Sequence, residues 1–297
     1  DLVRESAYRP FSKRYLYFDP HINARHFQMD QLLPPGKPDP VIIFSDPFAQ
    51  KPWMVLSSNI LPDRHYVGAA AAAIVAGRYR YNRQAERRDN ITDWALEQFS
   101  ECYGKNVISK DDIFAYVYAV LHDPVYRETY ALNLKREFPR IPLYPDFKRW
   151  RDWGQTLLDL HIGYEAVEPF ALTRTDTPDP KRAEGTTPAV KLKSDPEAGV
   201  IVLDTETRLS GVPLEAWRYR LGNRSAIDWV LDQHKEKTPK DPTIREKFNT
   251  YRFADYKETV VDLLARVVTV SVETVAITDA MAALPASARA HAVKTDA

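Results

Sequence analysis

Between Ser109 and Leu143 the apolar residues Ile113, Phe114, Val117, Val120 and Leu121 recur at three- and four-residue spacing. That spacing predicts a helix with one buried face. Ser109 stands as its N-cap, Asp112 answers the cap and the helix dipole, and Ile108 and Ile113 take the two places of a hydrophobic staple. Asp123-Pro124 ends this helix and caps a second, with proline in the first turn where its missing N–H is harmless. Tyr126, Tyr130 and Leu134 line the second helix, and Pro139 and Pro142 stop it. His122 is placed to meet the negative pole of the first helix.

The same reading extends along the chain. Residues 4–19 alternate bulky and polar groups around Tyr15–Phe18 and read as strand. Pro34–Pro40 is a loop, Val41–Asp46 a short buried strand, and Trp53–Asp63 a strand that turns at Pro62. Gly68–Gly77 is apolar and rich in alanine, and the fold of 64–85 stays open. Ile91–Gly104 is a helix capped by Thr92 and closed by Gly104. Pro145–Glu165 is another, capped by Asp146, ending at Gly163, with Phe147, Trp150, Leu157, Leu158 and Leu160 as its stripe.

From Pro169 to Gly199 the chain is loop-rich with one strand at Val190–Lys193, and Gly199–Pro213 adds a strand and a turn. Trp217–Leu221 alternates as a strand, placing Arg218 and Arg220 on one face. A helix starts at the Ser225 cap. Leu263, Leu264, Val267, Val268 and Ser271 keep helical spacing through the β-branched run of Ala254–Ile277. The tail from Pro285 is small, polar and expected to be mobile. The fold class is α+β: a helical scaffold with a mixed, mostly antiparallel β-rich region. Four segments are expected: strand-rich 1–85, helical 86–165, β-rich 166–235, and 236–297 with the closing helix and tail.

Composition narrows the function. The 297 residues suit one large domain or two small ones, and 44% apolar with 28% charged residues is ordinary for a globular chain. The formal charge is zero, so any nucleic-acid contact must come from a local patch. One cysteine, Cys102, excludes an internal disulfide framework or a cysteine-rich zinc site. No apolar run reaches membrane-span length, so the expected compartment is the cytoplasm and no membrane partner is expected. The chain opens at Asp1 in structured-looking sequence and is expected to be a fragment of a longer polypeptide.

Catalytic motifs are missing. No two of the ten glycines stand at G-x-G spacing, and there is no Walker A loop. The Asn/Asp-Pro-Pro-aromatic motif of adenine methyltransferases is absent; Pro34–Pro35 follows Leu33. Asp146-Phe147-Lys148 and Asp255-Tyr256-Lys257 match the short half of a nuclease pattern, but both sit where helices begin. Asp19, His21 and His26 have no metal-ligand spacing. No cofactor and no metal are expected.

Several motifs then carry a resemblance. Tyr116–Leu143 (YVYAVLHDPVYRETYALNLKREFPRIPL), the run LSGVP…AWRYRL…NRSAIDWV ending at Val230, Tyr8–Phe11 (YRPF), and Leu160, His161, Gly163, Tyr164 and Glu165 resemble one family. It is the C-terminal specificity (target recognition) domain of Type ISP restriction-modification enzymes. Those are long chains joining nuclease, ATP-driven translocase, adenine methyltransferase and recognition domain. The alanine run of Gly68–Gly77 departs from the family. The resemblance implies a non-catalytic domain that recognises double-stranded DNA in partnership with the methyltransferase module of its parent chain, residues 1–85 continuing from the methyltransferase core. The competing reading is a docking module that couples methyltransferase to translocase.

The candidate DNA-binding residues are Arg208, Arg218, Arg220 and Arg224 in the β-rich part, Lys191 and Lys193 on its short strand, and Arg78, Arg80 and Arg83. The last three belong to the densest basic cluster, with Arg87 and Arg88, interleaved with Tyr79 and Tyr81. The alternative for that cluster is a solvated linker partly neutralised by Glu86 and Asp89.

Overall fold

A computed structural model describes residues 2–23, 26–105 and 107–290. The fold is α+β, and contacts divide the chain into two units. The first holds residues 1–164, 221–223 and 276–297, the second 165–220 and 224–275. The expected segments 1–85 and 86–165 thus lie almost wholly in the first unit, and 236–297 is shared between the two.

In the first unit, β1 (Val3–Arg9) and β2 (Ser12–Tyr17) form a hairpin, followed by the short α1 (Met29–Leu32). Then come β3 (Val41–Ser45), β4 (Val55–Ser58), β5 (Leu61–Pro62) and β6 (Ala73–Gly77). β5 adds to β1 in parallel, while β3 lies between β4 and β6 in an antiparallel sheet. The alanine run, left open above, therefore ends as an edge strand. A two-stranded ribbon, β7 (Tyr79–Tyr81) and β8 (Arg87–Asp89), precedes the helices.

The helices are α2 (Asp93–Tyr103), α3 (Lys110–His122), α4 (Pro124–Thr129) and α5 (Phe147–Ile162). Their caps fall at the residues the sequence marks. Ser109 and Asp112 form a full capping box, and the side chains of Thr92, Asp123 and Asp146 accept backbone N–H bonds at the starts of α2, α4 and α5. α3 is buried almost all round. Its Ile113, Phe114, Tyr116 and Val120 share one core with Ile42, Phe44 and Val55 of the sheet and Trp150, Leu157 and Leu158 of α5. Where α5 crosses α3 the backbones touch: a Cβ at Gly154 would sit 1.8 Å from the Ala115 carbonyl oxygen.

Four expectations need correcting. The second helix of the central pair stops at Thr129; residues 130–136 continue as turns, and Tyr126 donates to the Arg140 carbonyl beyond them. His122 is no dipole partner, since it is buried as the neutral ring, with Nδ1 against the Tyr118 carbonyl at 2.8 Å. The end of the chain is held as far as Ala290: after α8 (Phe253–Ala282) a short 3-10 turn at Ala286–Arg289 carries Arg289 onto the buried Asp123 at 3.0 and 3.1 Å. Residues 291–297 lie outside the described ones. Finally, Trp217–Leu221 is not one strand. Trp217 closes a 3-10 turn (Leu214–Trp217), and only Arg220–Leu221 is extended.

The second unit is built on four antiparallel strands in the order β10-β11-β12-β9. These are β9 (Thr173–Asp176), which the sequence reading missed, β10 (Val190–Asp195), β11 (Val200–Asp204) and β12 (Thr207–Ser210). β13 (Arg220–Leu221) and β14 (Arg224–Ser225) make a minimal pair that leads into α6 (Ala226–Gln233), capped by Ser225. α7 (Pro242–Lys247), also missed, precedes α8. Leu192, Ile201, Leu203 and Leu209 turn one face of the sheet inward. α8 is tied to the sheet by Lys257 on Asp204 at 2.8 Å and by Glu258 on Arg174 at 2.7 Å.

Two predictions follow from the first unit. Removing Arg289 leaves the Asp123 carboxylate buried without its cation, which costs about 3–5 kcal/mol. Arg289→Ala should therefore show that loss in urea denaturation; a loss under 1 kcal/mol would mean the ion pair contributes nothing. The second concerns His122 and His161, whose ring centres lie 5.3 Å apart with the planes tilted by 33°. Burial, with Arg127 nearby, lowers both pKa values, that of His161 to about 3. Each ring takes up a proton on unfolding below its ordinary value of 6.5, so folding stability is full above that pH and falls as pH drops toward the folded value. The slope is about 1.4 kcal/mol per pH unit per ring. His26, raised by its bond to Asp30, works in the opposite sense. Denaturation midpoints should fall steadily from pH 7 to pH 5.5; a flat profile would show charged rings inside the fold.

Candidate nucleic-acid interface

Alternation, interrupted once in β10, makes the outer face of the second unit's sheet. On β10, Lys191 and Lys193 are exposed around buried Leu192; on β12, Arg208 is exposed between buried Thr207 and Leu209. An antiparallel sheet covered on one side produces this pattern. The register lines up Lys193, Val202, Arg208 and Thr175 as one row across all four strands. The next row is Asp195, Val200, Ser210 and Thr173. One extra residue lies in β10 between Val190 and Lys193, with Leu192 at φ +43°, and Lys191 and Lys193 both line the outer face.

The face lines an open groove of about 770 Å³. Lys191, Lys193 and Arg208 form no ion pair among the described residues. At one end lie Asp179 and Glu206, the latter held by Arg182 at 2.6 Å. Strand spacing of about 4.8 Å makes the row about 14 Å wide. It therefore offers two long cations, an apolar group and a hydroxyl at fixed intervals.

The other candidates separate. Arg218 and Arg220 are exposed on either side of buried Tyr219. Arg218 has helical backbone at the end of the 3-10 turn and only Arg220 is extended, so the strand alternation that put both on one face does not apply. Arg224 is half-buried, bound to Asp232 at 2.6 Å and lying over the Trp229 ring at 4.9 Å. Its guanidinium positions α6.

In the first unit, Arg78 is 4% exposed and engaged by Asp89 at 2.8 Å and by Asp111. This arginine pins the ribbon to α3, so it cannot reach a ligand. Burial of an arginine is invisible in a basic, tyrosine-rich string, which is why the sequence grouped it with its neighbours. Arg80 is held by the side-chain oxygens of Gln28 and Gln31 at 2.9 and 2.8 Å. Arg83 is exposed in the turn, and Arg88 is exposed directly opposite Arg80 on the paired strand. Arg87 lies over the Tyr79 ring at 4.3 Å. Like charges placed opposite one another across a ribbon are destabilising; an anionic ligand removes that cost.

Among the described residues no cluster of three or more His, Cys, Asp or Glu could hold a metal ion. His26 instead stacks on Phe18 at 4.0 Å and pairs with Asp30 at 3.1 Å. Asp146 caps α5 through the Arg149 N–H, and Lys257 is bound to Asp204. Asp146 and Lys257, one from each short acidic-lysine motif, are thus both engaged within the fold. No described helix is long and apolar enough to cross a membrane.

Fold and surface define the class: an α+β module with an exposed row of basic, apolar and hydroxyl groups on the outer face of its second unit's sheet. The chain belongs to the family of Type ISP C-terminal specificity domains, which it matches over residues 1–263. No curated protein matches it. Among solved structures it is similar to DrdV in a cryo-EM complex with DNA, at 49% identity and TM-score 0.88, over 96% of this chain and 28% of that one. It is also similar to a nuclease-deletion mutant of the Type ISP restriction-modification enzyme LlaGI in complex with a DNA substrate mimic. There the identity is 27% and the TM-score 0.71, over 94% of this chain and 24% of that one. The ATP-dependent Type ISP enzyme LlaBIII bound to DNA shares the fold, at 22% identity and TM-score 0.73, over 95% and 18%. The chain thus spans 28% or less of each of these relatives.

The two basic environments of the ribbon should separate by stability. Arg78→Ala removes two ion pairs whose carboxylates are partly exposed, and should cost about 1–2 kcal/mol. Arg83→Ala and Arg88→Ala should stay within about 0.5 kcal/mol of the parent. Equal losses for all three in thermal denaturation would contradict the structural role assigned to Arg78.

Proposed function

We propose that this domain recognises a short site in double-stranded DNA, and that the outer face of the β9–β12 sheet reads it. The observation that carries the proposal is the row Lys193–Val202–Arg208–Thr175, a series of donor and apolar groups whose cations form no ion pair among the described residues. Membership of a specificity-domain family and the DNA-bound state of the similar structures support it.

Dimensions divide the work. The major groove is about 12 Å wide and admits two strands, not four. The central strands β11 and β12 would then enter, bringing Arg208 to guanine O6 and N7 and Val202 to a thymine methyl. Lys191 and Lys193 on the edge strand would meet flanking phosphates, which fix register without carrying sequence information. Arg218 and Arg220 would extend the phosphate contacts. In the first unit, Arg80, Arg83 and Arg88 form a separate basic ribbon suited to the backbone.

We infer that the domain has no catalysis of its own. The missing glycine-loop and methyltransferase motifs support this. In a longer parent chain it would set which site an adenine methyltransferase modifies and which site triggers translocation and cleavage, in the cytoplasm of a bacterium as part of phage defence. A methyltransferase module of the same chain would be its partner on the duplex.

The test is selection from a randomised duplex library at two salt concentrations, with the parent chain and two variants. The parent should enrich one short motif that persists at higher salt. Arg208→Ala should relax the preference at one base position, at about 1–3 kcal/mol of discrimination. Lys191→Ala with Lys193→Ala should weaken all duplexes alike and make the salt dependence shallower. Enrichment unaltered by Arg208→Ala would remove the sheet face from the reading.

A further inference from the structure

The segment 235–252, between α6 and α8, belongs to neither the sheet face nor the ribbon. It carries Lys235, Lys237, Lys240, Arg245, Lys247 and Arg252 against Glu236, Asp241 and Glu246, an excess of cations in a chain whose formal charge is zero. Two of the three carboxylates face the backbone: Asp241 accepts from the Ile244 N–H at 3.0 Å and Glu236 from the Phe253 N–H at 2.9 Å. Among the described residues only Lys235 meets a carboxylate, Asp232 at 3.7 Å. Arg245 and Arg252 donate to carbonyls of their own segment, bonds that leave the full charge in place. Lys237, Lys240 and Lys247 are exposed.

The apolar groups here are equally unsupported. α7 buries no side chain, Ile244 is 48% exposed and Phe248 72%. A six-residue helix without a packed face has little to stabilise it. Exposed cations interspersed with exposed apolar groups match the chemistry of a duplex surface, where phosphates flank sugars and base steps. Position agrees with this. Lys235 and Lys193 line a common groove of about 390 Å³, and Lys193 also belongs to the sheet face, so the segment starts where that face ends.

We propose that residues 235–252 are a second DNA contact, an arm that follows the phosphates beside the site read by the sheet. Lys237, Lys240 and Lys247 neutralise phosphates, and Ile244 and Phe248 lie against the sugars and base steps between them. This rests on the DNA reading above, and it adds affinity without sequence preference.

The experiment titrates the full chain, Lys237→Ala/Lys240→Ala/Lys247→Ala, Phe248→Ala and Arg208→Ala against a duplex carrying the selected motif and a scrambled duplex, over a range of salt. No side chain of α7 is buried, so thermal denaturation of the arm variants should match the parent. The triple variant should lose about tenfold or more in affinity for both duplexes, with the slope of log K against log salt shallower by about two to three. The ratio between the duplexes should hold. Phe248→Ala should weaken both duplexes with the slope unchanged. Parent-like affinity and slope in the triple variant would overturn the arm, and the segment would then pass to an acidic protein partner. If Arg208→Ala still shifts the preference in that case, the sheet reading stands. A parent chain that binds neither duplex overturns both.

Discussion

The first unit depends on one close approach. Gly154 lets α5 lie directly on the Ala115 backbone of α3, with no room for even a methyl group between them. That crossing brings Trp150, Leu157 and Leu158 of α5 into one core with α3 and with Ile42, Phe44 and Val55 of β3 and β4. A helix apolar all round can only be a central one. α3 is therefore the post around which the sheet, α2, α4 and α5 are assembled, and the caps at Ser109 and Asp123 define its length.

From that post the outer features are positioned by ion pairs that the core permits. Arg78 clamps the base of the ribbon to Asp111 on α3, which gives the exposed arginines of the ribbon a rigid mount. Asp123, fully buried at the α3–α4 joint, receives Arg289 from the far end of the chain. In the second unit the corresponding role falls to Lys257 and Glu258 of α8, which hold the sheet from its inner side and leave the outer row of Lys193, Val202, Arg208 and Thr175 to solvent. Preorganised cations lose little freedom on meeting a ligand, and this is the physical case for reading these surfaces as functional.

Much of this was legible in the sequence. The caps Thr92, Ser109, Asp123, Asp146 and Ser225, the buried stripes of α3 and α5, and the Type ISP motifs all depend on local chemistry at fixed spacing. The candidates Lys191, Lys193 and Arg208 were named as basic residues of the β-rich part, and the structure puts them on one face. What sequence could not show was partnership at a distance. Arg78 and Arg83 are five residues apart in one basic string, yet one is buried between two carboxylates and the other stands in solvent. β9 escaped notice because Thr173–Asp176 is polar throughout, being exposed on both faces at a sheet edge. The tail looked mobile because its anchor is a single arginine whose carboxylate lies 166 residues away.

The extra residue at Leu192 has a further consequence for β10. This strand is an edge of its sheet, and an edge with unpaired N–H and C=O groups invites another strand to add to it. A left-handed kink at Leu192 breaks the straight run of those groups, and the lysines on either side of it repel a second strand of the same kind. A sheet with one half-polar face open to solvent is in this way protected along its β10 edge from pairing with copies of itself.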